Sequence, residues 1–203
     1  MSKSTTSEWH DRLTSTNTIL CDRLLQDEPL PNGFVLAAHQ QTAGKGQLGR
    51  SWQSSGGRNL TFSFLLQPIK RIHQITALPM AVAISLEQYG LTVQTQVADD
   101  LLVRKRKICG ILTECPQPLS IVVGVGVNIN MTSDEADLID QPATSVFIES
   151  GQQLSAQSFL DRLLPYTHHL DSELAKMRIL SSTHGLVKSL LQLRERDRSW
   201  RRK

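Results

Sequence analysis

The chain has 203 residues, 39% of them hydrophobic and 20% charged, and a formal net charge of +3. That is long enough for one sizeable α/β core with a small appendage, and too weakly basic for a nucleic-acid surface, while it suits an anionic small molecule or an acidic partner. Met1–Asp11 has no apolar core of a signal peptide, no run spans a bilayer, and the three cysteines (Cys21, Cys109, Cys115) lack metal-ligand spacing and the even count of a disulfide framework, so a cytoplasmic protein without a membrane role is expected.

Ser4–Leu13 is expected as a polar edge strand. Ser15-Thr16-Asn17 precedes a helical apolar spacing (Ile19, Leu20, Leu24, Leu25), with Ser15 or Thr16 as N-cap. That triplet is either a cap alone or a helix N-terminus that offers N–H groups and hydroxyls to a polar ligand. Pro29, Pro31 and Gly33 end the helix in a loop. Gly33–His39 reads as a buried strand. In Asn59–Leu66, Leu60, Phe62, Phe64 and Leu66 alternate with Thr61 and Ser63, which fits a sheet covered on one side and open to a ligand on the other.

Between these strands lies a loop with Gly44, Gly46 and Gly49 interleaved with Lys45, Gln47 and Arg50, followed by Trp52. Successive N–H groups of such a turn form a concave anion site, and two cations strengthen it. The same composition also suits a solvated hairpin. It is not a Walker A motif, because the Gly-Lys-Ser/Thr ending is missing, and it opens no helix.

Gln74–Tyr89 is expected as a helix closed by Gly90, then Leu91–Val97 as a strand. Asp99 and Asp100 either hold Mg²⁺ beside a phosphate or make a turn. Arg104–Arg106 reads as a soluble hairpin tip, whereas Lys107 adjoins the next strand and can point back over the sheet. Gly110, inside the strand Ile108–Glu114, suggests a bulge or a close approach by another group. Leu119–Val127 is a β-branched strand. Short turns between these strands predict an antiparallel or mixed sheet rather than βαβ units. Met131–Gln141 is expected as an acidic loop or short helix, Ala143–Ile148 as a short strand, and Ser155–Ala175 as an amphipathic helix kinked or divided by Pro165. His168 and His169 are expected to be exposed.

Five blocks carry a resemblance: Ser15-Thr16-Asn17; Gln41 through Trp52; Asn59-Leu60 through Ser63; Lys107-Ile108-Cys109-Gly110-Ile111-Leu112 with Glu114; and Gly124-Val125-Gly126-Val127-Asn128. In this order they resemble the catalytic domain of biotin–protein ligases, over about Thr14–Leu174 by eye. The resemblance implies an α+β fold of the class II synthetase-like biotin/lipoate ligase type. In it a mixed, mostly antiparallel sheet carries helices packed on one face. It implies a catalytic domain over 1–176 and a helical basic tail over 177–203 in place of the usual small C-terminal β-barrel. It also implies an enzyme that converts biotin and ATP, with Mg²⁺, to biotinyl-5′-AMP. The biotinyl group then passes to a lysine of a biotin carboxyl carrier protein of a biotin-dependent carboxylase. By resemblance Lys107, Lys45 and Arg50 are catalytic. Ser15, Thr16, Asn17, Gln41, Gly44, Lys45, Lys107 and Gly110 bind biotin, and Lys45, Gln47, Arg50, Trp52 and Asn128 bind ATP. Asp100 is the metal candidate. No DNA-binding role is expected, and a homodimer is implied.

The chain departs from the pattern at Lys45 and Gln47, where arginine is usual. It departs again at Gln96-Val97-Ala98-Asp99-Asp100, where the family has Lys-Trp-Pro-Asn-Asp. Loss of one charge-assisted contact costs roughly 1.5–3 kcal/mol. A relative impaired in catalysis that holds only biotin or carrier protein is therefore the first alternative. A lipoate or octanoate ligase is the second.

Overall fold

The computed structural model describes residues 6–53, 56–68, 73–96 and 100–168. Seven strands form one sheet in the order β1-β2-β3-β7-β6-β5-β4. They are β1 (Ser7–Leu13), β2 (Val35–Gln41), β3 (Leu60–Leu66), β4 (Val93–Gln96), β5 (Asp100–Val103), β6 (Arg106–Gln117) and β7 (Ser120–Val127). Only β1 and β2 are parallel; the other neighbours are antiparallel. The sheet is thus mixed and mostly antiparallel, in an α+β chain, as expected.

Strand alternation sorts the core into two layers. Val35, Ala37, Leu60, Phe62, Phe64, Val123, Val125 and Val127 face α2 (His73–Glu87) and α5 (Ala156–His168), and join Leu78, Val82, Phe159, Leu160 and Leu163 in the main core. Leu36, Leu65 and Val122 face the other way and pack against Leu20 and Leu24 of α1 (Thr16–Leu25). Two helices therefore share one face, and α1 covers part of the opposite one. The polar residues of β3, Thr61 and Ser63, are themselves buried, Ser63 against Thr16 and Asn17 of α1, so the face expected to be open to a ligand is open only beyond them. Among the described residues no helix is long and apolar enough to cross a membrane.

Three local expectations are overturned. Ala143–Ile148 is not a strand. Only Ala143 bridges to Lys107, and Val146–Ser150 forms the short helix α4. Ser145 caps it by accepting from the Ile148 N–H, and Gly151 ends it at φ 74°, so local capping outweighs the β-branched run. Pro165 does not divide α5, which runs on to His168; the carbonyl that proline leaves unbonded is that of Asp161, on the exposed side. The hairpin tip is Arg104-Lys105 alone, both at positive φ. Arg106 lies in β6 and donates to Glu149 Oε1 at 2.6 Å, and Glu149 also accepts from the Thr144 hydroxyl at 2.6 Å. The Glu149 side chain is only 2% exposed, and a buried carboxylate requires such partners. The short helix α3 (Ser133–Ala136), with a capping box from Thr132 and Glu135, fulfils the expectation for Met131–Gln141. Asp99, His169 and the tail beyond Lys176 lie outside the described residues, as does the side chain of His168.

Candidate active site

The α1 side of the sheet carries a glycine floor. Gly110 on β6 and Gly126 on β7 are register partners, and Gly124 lies two residues along the same face. A methyl on Gly124 would stand 2.5 Å from Asn17 Oδ1, and one on Gly126 would overlap the Trp52 indole. Side chains at these positions would fill the space above the sheet, so glycine is what keeps it open. The i, i+2 spacing of Gly124 and Gly126 is the mark this floor leaves in the sequence.

One wall is the start of α1. Ser15 is the N-cap and accepts from the Thr18 N–H at 3.4 Å. The Thr16 N–H donates to Gln41 Oε1 at 2.7 Å. The Ser63 hydroxyl lies 2.8 Å from Thr16 Oγ1 and 2.7 Å from Asn17 Oδ1, and Asn17 Nδ2 donates to Glu114 at 2.7 Å. A carboxylate only accepts, so Glu114 fixes which way the Asn17 amide points. Helix α1, the end of β2, the centre of β3 and the far half of β6 are tied into one polar wall.

The opposite wall is the Gly-rich segment, a small hairpin in its own right. Gly46 N–H donates to Arg50 O at 2.7 Å, Trp52 N–H to Gly44 O at 2.8 Å, and Lys45 bridges Ser51. Its tip is a single 3₁₀ turn, Gln47–Gly49. Gly44 lets the two arms meet, since a methyl there would overlap the Trp52 carbonyl oxygen. Lys45 and Arg50 are exposed at the rim.

Lys107 stands between the walls. Its backbone is clamped by the 142–144 segment: its N–H donates to Pro142 O at 2.8 Å and its carbonyl accepts from the Thr144 N–H at 2.9 Å. Its side chain folds back over Gly110, with Nζ 2.8 Å from Asp100 Oδ1 and 5.8 Å from the Trp52 ring centroid. Asp100 is thus the first residue of β5 and an ion-pair partner rather than a turn residue.

Two cavities result. The inner one, about 100 Å³, is lined by Ser15, Thr16, Asn17, Gln41 and the glycine floor. The outer one, about 480 Å³, is lined by Asn128, Ile139, Asp140 and Ala143. Arg50, Ser51, Trp52, Lys107 and Gln141 border both and form the wall between them. Of the residues singled out from the sequence, Lys45, Gln47, Asp100 and Gly110 also line the inner cavity, and Gly44 lines neither. Asn128 reaches the outer cavity, but its Nδ2 is engaged with Thr144 O at 3.1 Å, so it also braces the 142–144 segment. Gln141 and Asp140 were missed, because a polar loop outside any motif carries no signal of what it folds against. Among the described residues no three of His, Cys, Asp and Glu group as a metal site.

A site with one small polar recess, one larger outer recess, two cations (Arg50 and Lys107) at their junction and a third (Lys45) on the inner side can hold two anionic molecules end to end. The model of the biotin/lipoate A/B protein ligase family matches residues 9–128. The chain is similar to the biotin–[acetyl-CoA-carboxylase] ligase of Paracoccus denitrificans, 30% identical over 167 residues, 75% of this chain and 69% of that protein. It is 29% identical over 150 residues to the bifunctional ligase/repressor BirA of Bacillus spizizenii, covering 69% of this chain and 46% of the relative. The chain spans about half the length of the Bacillus relatives it matches. The biotin protein ligase of Aquifex aeolicus, solved in complex with biotin and ATP, shares the fold with a TM-score of 0.70 at 24% identity, covering 85% of this chain and 72% of that one.

Proposed function

The chain belongs to the biotin/lipoate A/B protein ligase family, and on that premise we propose that it is a biotin–protein ligase. It activates biotin with ATP and transfers the biotinyl group to a lysine of a biotin carboxyl carrier protein. One observation carries this reading: Lys107, Arg50 and Trp52 form the wall shared by a small inner cavity and a larger outer one.

In the first step a biotin carboxylate oxygen attacks the α-phosphorus of ATP, and pyrophosphate leaves with the electron pair of the broken P–O bond. Both reactants are negative, so the site must offset their repulsion and hold them in line. The polar wall of Ser15, Thr16, Asn17 and Gln41 receives the ring end of biotin, which directs its carboxylate to the dividing wall. Lys107 meets the carboxylate and the α-phosphate together, already aimed by Asp100. Lys45 and Arg50 meet the phosphates from the rim. The nucleotide takes the outer cavity beside Trp52 and Asn128. Mg²⁺ neutralises phosphate charge when bound; a cation that arrives on phosphates needs only one or two carboxylates, and Asp100 and Asp140 are the ones bordering the cavities. In the second step the carrier lysine attacks the acyl carbon and AMP leaves. Closure of the Gly-rich hairpin keeps water from the mixed anhydride. Pairing of two copies along a sheet edge, at β1 or β4, belongs to the same reading.

The test is exchange of labelled pyrophosphate into ATP, with biotin and Mg²⁺ present. Exchange is expected in the wild type and should be slower by roughly one to two decades in Lys107→Ala; exchange equal in both chains sinks the assignment. Lipoate added as competitor should leave biotin-dependent exchange intact. A second reading rests on Gln96, which is exposed on β4 at the position where the family resemblance leads one to expect a lysine: a chain that binds biotin without adenylating it. Calorimetry separates the two, since in that case ATP does not tighten biotin.

A further inference from the structure

Glu114 lines neither cavity, yet it holds the side chain on which the polar wall turns. It sits on β6 opposite Val122, at the last regular pair before that ladder shifts its register. From there its carboxylate accepts from Asn17 Nδ2 at 2.7 Å. An amide has donors at one end and only an acceptor at the other, and a carboxylate brings no hydrogen. Asn17 Oδ1 therefore points the other way, 2.7 Å from Ser63 Oγ and over the floor at Gly124.

That polarity passes along the wall. Ser63 Oγ has one proton and two oxygens beside it, Asn17 Oδ1 at 2.7 Å and Thr16 Oγ1 at 2.8 Å. Asn17 Oδ1 carries no hydrogen, so the Ser63 proton lies between those two. The Thr16 proton then fills the contact with Ser63, in preference to the longer one with Gln41 Oε1 at 3.1 Å. All three residues are at most 3% exposed, so solvent does not reset this order. Thr16 Oγ1 is left with lone pairs alone. Gln41 Oε1 beside it is also fixed as an acceptor, because the Thr16 N–H donates to it at 2.7 Å. Two oxygens with no hydrogen between them, on residues that line the inner cavity, call for a donor from a ligand. A buried polar network only partly satisfied is costly.

We propose that Glu114 is a positioning residue for specificity. By orienting Asn17 it orders the hydroxyl protons of Ser63 and Thr16, makes this end of the inner cavity an acceptor-only wall, and so selects an acid whose ring carries N–H groups over one whose ring has none. The proposal rests on assigning the inner cavity to biotin, whose ring offers such groups; the ring of lipoate does not. A site built to pair a polar group rejects an analogue that lacks it far more strongly than a pocket that only matches shape.

The test uses the full chain and two substitutions of similar reach. Glu114→Gln keeps an oxygen that can accept from Asn17, and Glu114→Met has none. Without ligand, the Asn17 side-chain amide is identified in NMR by the signals lost in Asn17→Ala. Its hydrogen exchange should be slow in the wild type, close to that in Glu114→Gln, and roughly tenfold faster in Glu114→Met, the worth of a charge-assisted hydrogen bond. One rate in all three chains overturns the proposal. By calorimetry, biotin should bind Glu114→Met about tenfold more weakly, and Glu114→Gln within about threefold of the wild type. An ATP analogue measured without biotin should bind all three chains alike, and lipoate should not distinguish them. Biotin binding unchanged in Glu114→Met, or weakened equally by both substitutions, overturns the proposal. So does a loss of nucleotide or lipoate affinity that matches the loss for biotin, since that marks a merely structural role. If biotin binds none of the chains while exchange follows the acceptor, the hold of Glu114 on Asn17 stands and the assignment of biotin to the cavity falls.

Discussion

Lys107 is where charge, register and floor meet. Its ammonium is held by Asp100 at 2.8 Å, and its stem crosses Gly110. Removing a charge-assisted contact to the reacting anions costs roughly 1.5–3 kcal/mol, one to two decades in rate. Lys107→Ala should therefore lower kcat/KM for pyrophosphate exchange by about that much. Asp100→Asn should lower it less, because the lysine survives and loses only its aim. The cysteines give a second residue-level expectation. Cys109 is buried and burial pushes its thiol up; burial also pushes Cys21 up to about 12, with the nearby Glu114 adding to it. Cys115 is exposed. The thiolate is the reactive form, so mass spectrometry after brief maleimide treatment at neutral pH should find Cys115 modified and the other two intact.

At the scale of elements, two small devices hold the parts around the site. Glu149 of α4 ties that helix to Arg106 of β6 and to Thr144 beside Lys107. Glu149→Ala should destabilise the fold by roughly 1.5–3 kcal/mol in urea unfolding, and should also slow adenylation, because the 142–144 clamp on Lys107 loosens. The edge strand β1 is pinned to α1 through Glu8, which bonds His10 and Arg23. Those partners, His10 first, hold the Glu8 carboxyl below its ordinary value of 4.5. A carboxylate with a lowered folded-state pKa stabilises the fold above its unfolded pKa, and that stability is lost as pH falls through the folded value. Stability should therefore decline as pH drops below about 4.5, and Glu8→Gln should flatten that part of the curve.

Across the whole molecule, the shared wall makes the two cavities dependent on one another. Any ligand in the inner cavity sets the position of Trp52, Arg50 and Lys107 for a ligand in the outer one. Linkage requires the effect to be mutual. A non-hydrolysable ATP analogue should tighten biotin by the same factor as biotin tightens the analogue, measured by calorimetry in both orders. Equal affinities with and without the second ligand would mean that the wall is passive.

Strand and helix types, the α+β class and the Gly-rich segment were legible in the sequence, because period, capping residues and glycine spacing are local. So was the meeting of Lys107 with the Gly-rich segment, though only through resemblance. Ala143–Ile148 misled because β-branched residues suggest a strand, while the serine and glycine at its ends decide for a helix. Only the folded chain shows that α1 closes half of the polar face, that Glu114 orients Asn17 across 97 residues of chain, and that Gln141 joins the dividing wall. Local interactions are written in neighbouring residues. Which distant side chains come to share a wall depends on strand order and register, and those follow from the packing of both faces of the sheet at once.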